Sequence, residues 1–306
     1  MTLKGDYFMR TIHLIKTNLE KAFMSYYFIV SVILTFILFI TCSLYYDYDA
    51  NCDVSILNAF FNTERSQMLQ NTQFCSYNVL QNSISGWMKM FVPMIVSFPF
   101  VSSQCTEHIT GASRLSSIRI SKHSYQTGTF LSAMLIGGFI LAIGFAIFSI
   151  CVAFMFPSIS LYDLQLRNDY EWWIPQAHPL FKLFGYPFLI VLRFLEMFLY
   201  GAVSAVPACF MMCLLNNKYL IISMPFFLKY LLLQQISRLR IEAYSDYKHI
   251  DEKLVLFTEI LNPDSFSQIF SGSKEIWKSI AFYTAIIVML FISYSIVLNR
   301  KWDYGT

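Results

Sequence analysis

Six stretches of this chain are apolar over lengths that match the hydrocarbon core of a bilayer, and this constrains the fold more than any other feature. A spanning helix needs about 20 apolar residues, or fewer where its ends reach the headgroups by snorkelling. The stretches are 24–45, 87–104, 130–156, 187–215, 219–233 and 279–298. The first and last are uninterrupted. The second contains Pro93 and Pro99 and is expected to be kinked or irregular. The third contains Gly137, Gly138 and Gly144, the fourth Arg193 and Glu196, and the short fifth Pro225 and Lys229.

Composition points the same way. Apolar residues make up 56% of the 306 residues and charged ones 13%, against roughly 45–50% and about 25% in soluble domains. Thirty phenylalanines contribute to a mean hydropathy of +0.52. A globule of this size can neither hide that much apolar surface nor cover itself with 41 charged residues. A soluble enzyme and a disordered chain are both excluded, and the expected fold is an all-α polytopic membrane protein. A net charge of +3 gives no support to a nucleic-acid partner.

Six spans place both termini on one side, and basic residues choose which. With the termini cytoplasmic, the inner segments carry 10 Lys/Arg in 57 residues and the outer segments 9 in 112. The chain is therefore read as multi-pass in the cell membrane with both ends inside. Residues 1–23 precede an apolar run too long for a cleavable signal. Phe8, Ile12, Ile15, Leu19 and Phe23 recur at helical spacing, with Arg10, Lys16 and Lys21 on other faces, so a helix lying in the headgroup layer is expected. The fifth span follows the fourth after Asn216, Asn217 and Lys218, which makes a tight helical hairpin. The charged stretch from Arg238 onward is expected to prolong the fifth span as a water-exposed helix.

Motifs for chemistry are missing from the sequence. There is no GxxxxGK[ST], HExxH, CxxC or GxSxG, and the five histidines are scattered. No catalytic residue, cofactor site or metal site is assigned to this chain. The charges within spans are Arg193, Glu196 and Lys229, and such groups are costly and functional by default. Arg193 and Glu196 share a helix face and can neutralise each other, whereas Lys229 is within snorkelling reach of a headgroup. Cys42, Cys105, Cys151, Cys209 and Cys213 fall in or at the end of apolar runs and read as packing groups. Cys52 and Cys75 frame a polar outer loop with 22 residues between them. Facing an oxidising exterior, they could close a disulfide worth about 3 kcal/mol.

The most informative segment is 104–128, QCTEHITGASRLSSIRISKHSYQTG, which joins the second and third spans on the expected cytoplasmic side. In it, Glu107 and Gly111 are followed by Arg119, Ser121, Lys122 and Tyr125. With the N-terminal helix, the six spans, the turn Asn217–Lys218–Tyr219 leading to Pro225, and Leu261–Asn262–Pro263 in the last outer loop, this arrangement resembles the type-2 ABC-transporter permeases. The likeness covers essentially the whole chain as a plan, while each motif is short and degenerate. The segment after Gly111 is more compact than is usual in that family, and the outer loop 46–86 is longer than in many small members.

The resemblance implies a non-catalytic permease subunit of an ATP-driven exporter. It implies a coupling helix in 105–127 that docks on a separate ABC ATP-binding subunit, with Glu107, Gly111, Arg114, Arg119, Lys122 and Tyr125 fixing register and Ile109, Leu115 and Ile118 as the apolar wedge. ATP and Mg would be bound by that partner chain, and a second permease copy or a related permease would complete the assembly beside the lipid bilayer. The glycines of the third span would serve close helix approach, either between permeases or within one chain. A membrane sensor or immunity protein that binds an extracellular peptide without pumping it is the rival reading.

Overall fold

The computed structural model describes residues 2–47, 51–110, 120–163, 181–215, 217–244, 251–271 and 274–304. Helix α1 (Thr2–Phe23) leads into α2 (Tyr26–Thr41), and Ser25 caps α2 by accepting from the Phe28 N–H. Strands β1 (Ser43–Asp47) and β2 (Cys52–Ser55) pair antiparallel, with Asp47 opposite Cys52. Short helices α3 (Ile56–Asn62), α4 (Arg65–Met68) and α5 (Ser76–Asn82) follow. The long elements are α6 (Trp87–Ile109), α7 (Lys122–Met155), α8 (Phe181–Leu214) and α9 (Lys218–Ala243). After α10 (Glu252–Ile260) and a 3-10 segment (Pro263–Ser271), α11 (Lys274–Tyr304) closes the chain.

Helices α7, α8, α9 and α11 contain spans long and apolar enough to cross a membrane. Two further pairs qualify when each is counted as one bent span: α1 with α2, bent by 69°, and α5 with α6, bent by 70°. This is a multi-pass, all-α protein with four to six spans, and the β1–β2 hairpin is its small exception. Apolar side chains cover the outside of the bundle, as lipid requires. Met289 is 63% exposed on α11, Phe154 85% exposed on α7.

The packing centres on α7 and α8, which run antiparallel, whereas α1 and α2 run parallel to α7. Gly137 of α7 faces Gly201 and Ala205 of α8, so closely that a Cβ built on Gly201 would lie 2.5 Å from the Gly137 carbonyl oxygen. Gly138 likewise meets Phe198, and Gly144 meets Thr35 of α2. The three glycines of the third span therefore serve approach within one chain. Nearer the start of α7, Gln126 donates to Asn299 Oδ1 of α11 at 2.8 Å, and the Phe130 ring meets Phe291 edge-on at 5.1 Å.

Element ends differ from those read in the sequence. Helix α2 stops at Thr41, because residues 43–47 pair as a strand. Helix α6 runs on past Gln104 to Ile109, and is one continuous helix through Pro93 and Pro99. Helix α7 starts at Lys122, since Gln126, Thr129 and Ser132 are buried against neighbouring helices. In α8 the helix is broken at Gly185, whose φ of 69° and ψ of −164° only glycine adopts readily. Helix α9 continues to Ala243, with Arg238 and Arg240 exposed along its last turns.

The bundle has two distinct ends. One holds the junction of α1 with the end of α6, the start of α7 and the contact of α7 with the end of α11. The other holds the hairpin, α3 to α5, α10 and the 3-10 segment.

Candidate functional site

Near the hairpin end, four ionisable side chains are buried in an apolar bundle. Lys229 of α9 is 7% exposed and Asp264 6%, and their Nζ and Oδ1 atoms lie 2.6 Å apart. Tyr200 of α8 completes a triangle. Its hydroxyl donates to Asp264 Oδ1 at 2.8 Å and accepts from Lys229 Nζ at 2.5 Å. Lys229 is thus held by a carboxylate on the 3-10 segment.

Local chemistry places Asp264. Asn262 Oδ1 accepts from the Asp264 N–H at 3.1 Å, Ser265 Oγ donates back to the Asn262 carbonyl at 2.8 Å, and Pro263 stiffens the turn between them. Two hydroxyls of α11 fix the preceding residues: Tyr283 donates to the Leu261 carbonyl at 2.5 Å and Ser279 to the Glu259 carbonyl at 2.7 Å.

The second pair lies within α8. Arg193 Nη1 and Glu196 Oε2 are 2.8 Å apart and both side chains are buried. The same guanidinium donates to the Ser267 carbonyl and, through Nη2 at 2.8 Å, to the Gln81 carbonyl of α5. Arg193 therefore ties both the 3-10 segment and α5 to α8, while its Nε is buried without a partner among the described residues. Main-chain carbonyls are otherwise exposed to desolvation at such a junction, and five guanidinium donors suit them.

A cavity of about 170 Å³ opens beside the Lys229 cluster. Tyr200, Ser204 and Pro207 of α8, Pro225 and Lys229 of α9, and Tyr283 and Leu290 of α11 contribute to its wall. A second cavity, of about 280 Å³, lies between the hairpin and the start of α6, lined by Asp53, Ser55, Ser85 and Trp87 among others.

At the opposite end, Glu107 accepts from Lys21 of α1 at 2.7 Å, so the end of α6 is joined to the N-terminal helix. Tyr125 is buried in the first turn of α7, and Lys122 is exposed at its start. Ser121 precedes it with φ 97°, a value that L-residues seldom adopt. Gly111, Arg114, Ile118 and Arg119 lie outside the described residues. Cys52 and Cys75 are free thiols: Cys52 is exposed on β2, whereas Cys75 is buried among Ile159, Tyr162 and Tyr77. Burial pushes the Cys75 thiol above its ordinary value. Among the described residues, no three His, Cys, Asp or Glu side chains form a metal-binding group.

Reading the sequence for site residues missed Asp264 and Tyr200. The motif Leu261–Asn262–Pro263 stops one residue short of Asp264, and nothing in a linear sequence links it to a lysine 35 positions earlier. Comparison with family models, with curated proteins and with solved structures gave no match for this chain.

Proposed function

We propose that this chain is the permease subunit of an ATP-driven exporter of the type-2 ABC kind, with six spans, both termini cytoplasmic, and residence in the cell membrane. The observation that carries the reading is the junction of α1 with the end of α6 through Lys21 and Glu107, next to the short connection that leads into α7. A push delivered there reaches α1 and α7 together, because α1 packs along α7 and Asn18 of α1 donates to Ser132 of α7 at 3.2 Å. A partner ATP-binding subunit supplies ATP and Mg chemistry, this chain is not itself an enzyme, and a second permease presents the matching contact to the other half of the ATPase dimer.

The test is affinity purification of this chain from its native membrane, with a co-purifying ABC ATP-binding protein identified by mass spectrometry. The wild type is expected to bring it down in stoichiometric amount. Glu107→Arg and Gly111→Trp are expected to lose it, or its export-linked ATP hydrolysis, while the chain still inserts in the membrane. Normal complex formation and transport in both variants would overturn the assignment. The rival, a sensor or immunity protein binding an extracellular peptide, draws on the structured hairpin end, where Phe61 and Trp87 are each 73% exposed. Peptide binding without any ATPase partner would favour it.

A further inference from the structure

We infer that the cavity beside Lys229 is a binding site for an acyl amphiphile whose head offers an uncharged carbonyl oxygen, as in an acyl amide or ester. Its shape follows from the directions of the helices. From the level of Tyr200 and Lys229, the wall runs along α8 to Pro207, along α9 back to Pro225, and along α11 from Tyr283 to Leu290. Seven residues of helix from 200 to 207 correspond to a depth of about 10 Å. The polar groups Tyr200, Lys229 and Tyr283 therefore gather at one end, Ser204 lies one turn of α8 deeper, and the far end at Pro207, Pro225 and Leu290 is apolar. A volume of about 170 Å³ is close to that of an apolar cavity known to take a benzene-sized ligand of about six carbons, so it receives a ring or a short run of methylenes and not a whole lipid.

The head-group preference follows from counting donors and charges. An ammonium has three N–H donors, and Tyr200 Oη and Asp264 Oδ1 take two of those on Lys229. The third is left for an oxygen acceptor. Asp264 already neutralises Lys229 at 2.6 Å. A carboxylate head would set its charge against Asp264, and a cationic head would bring a second positive charge to the ammonium. A neutral carbonyl accepts the remaining proton with no uncompensated charge. Lys89 lies near enough to act on Lys229 but does not line the cavity. The inference stands apart from the ATPase assignment, because it concerns this chain alone.

The experiment uses the full chain in lipid nanodiscs and a photoreactive octanamide bearing a diazirine on its tail, with labelled peptides mapped by mass spectrometry. Labelling is expected on peptides of α9 and α11, saturable, and reduced at least fivefold by excess unlabelled octanamide but not by octylamine. Ser204→Trp, which fills the cavity, is expected to abolish it, and Ser204→Ala to keep it. Should the Trp variant fail to fold, the double variant Lys229→Met/Asp264→Leu serves instead: octanamide and octylamine should then compete equally. Labelling that merely follows the probe's partition into the bilayer, or that octylamine blocks as well as octanamide in the wild type, would overturn the proposal and leave an ordinary lipid tail as the occupant. Loss of ATPase co-purification with this labelling intact would defeat the transporter reading only.

Discussion

A lysine buried in an apolar bundle persists only with a counter-charge, and Lys229 has Asp264 at 2.6 Å. Removing one member of such a pair strands the other. Lys229→Met or Asp264→Leu alone should therefore cost about 3–5 kcal/mol, whereas the double variant should recover most of that loss. Thermal unfolding in nanodiscs measures this, and strictly additive losses would show that the pair does not act as one unit. Cysteine chemistry gives a second expectation at this scale. Burial raises the Cys75 pKa above its ordinary 9.0, so its proton is held more tightly in the folded state. Its contribution to stability is present below that ordinary value and is lost as pH rises through the folded one. Because the thiolate is the reacting species, maleimide at pH 7.5 should modify Cys52 within minutes and Cys75 only after unfolding. Failure of Cys52 to react unless reductant is added would indicate a bond to Cys75.

Packing of α7 on α8 depends on small residues at the crossing. Gly201→Leu would place its side chain against the Gly137 carbonyl and Leu141, and a loss of about 3 kcal/mol or failure to assemble is expected. A gel-filtration profile separates the two outcomes, and a wild-type profile with unchanged melting would refute this packing role. Ser121, held at φ 97° before α7, carries a strain of about 1–3 kcal/mol, so Ser121→Gly should raise the melting temperature. The existence of the long helices was legible in the sequence because a lipid-length apolar run has few alternatives. Their ends were not. Helix α7 begins eight residues before the predicted span at 130, since Gln126 finds Asn299 on α11 and needs no water. In α1 the periodicity of Phe8, Ile12, Ile15, Leu19 and Phe23 marks a largely exposed face, with Phe8 67% exposed. The buried stripe is Leu14, Asn18 and Ala22, hidden because its middle member is polar and is satisfied across the interface by Ser132 of α7. Arg193 with Glu196 was readable as a pair because both lie on one helix face, whereas the Lys229 partnership depends on tertiary folding.

The two ends of the molecule are built differently, and the difference bears on how motion would pass through it. At the hairpin end, Arg193 and Lys229 hold α5 and the 3-10 segment with buried, charge-assisted bonds, which resist separation unless several break together. At the α1 end, Lys21 and Glu107 meet with their side chains 52% and 18% exposed, and an ion pair in that setting is worth less than about 1 kcal/mol. It fixes a geometry cheaply and can remake itself in another. If α1 and α6 move as one body through this contact, its charge order should not matter but its complementarity should. On the proposed transporter reading, Lys21→Glu is expected to lower ATP hydrolysis by the complex with an ATP-binding subunit several-fold, with melting changed by only a few degrees. Lys21→Glu combined with Glu107→Lys is expected to restore it to within twofold, because the reversed pair spans the same gap. Glu107 would do something else if the reversed pair stayed as defective as the single variant: its carboxylate would then be read by the partner subunit directly, and α1 would be a bystander to coupling.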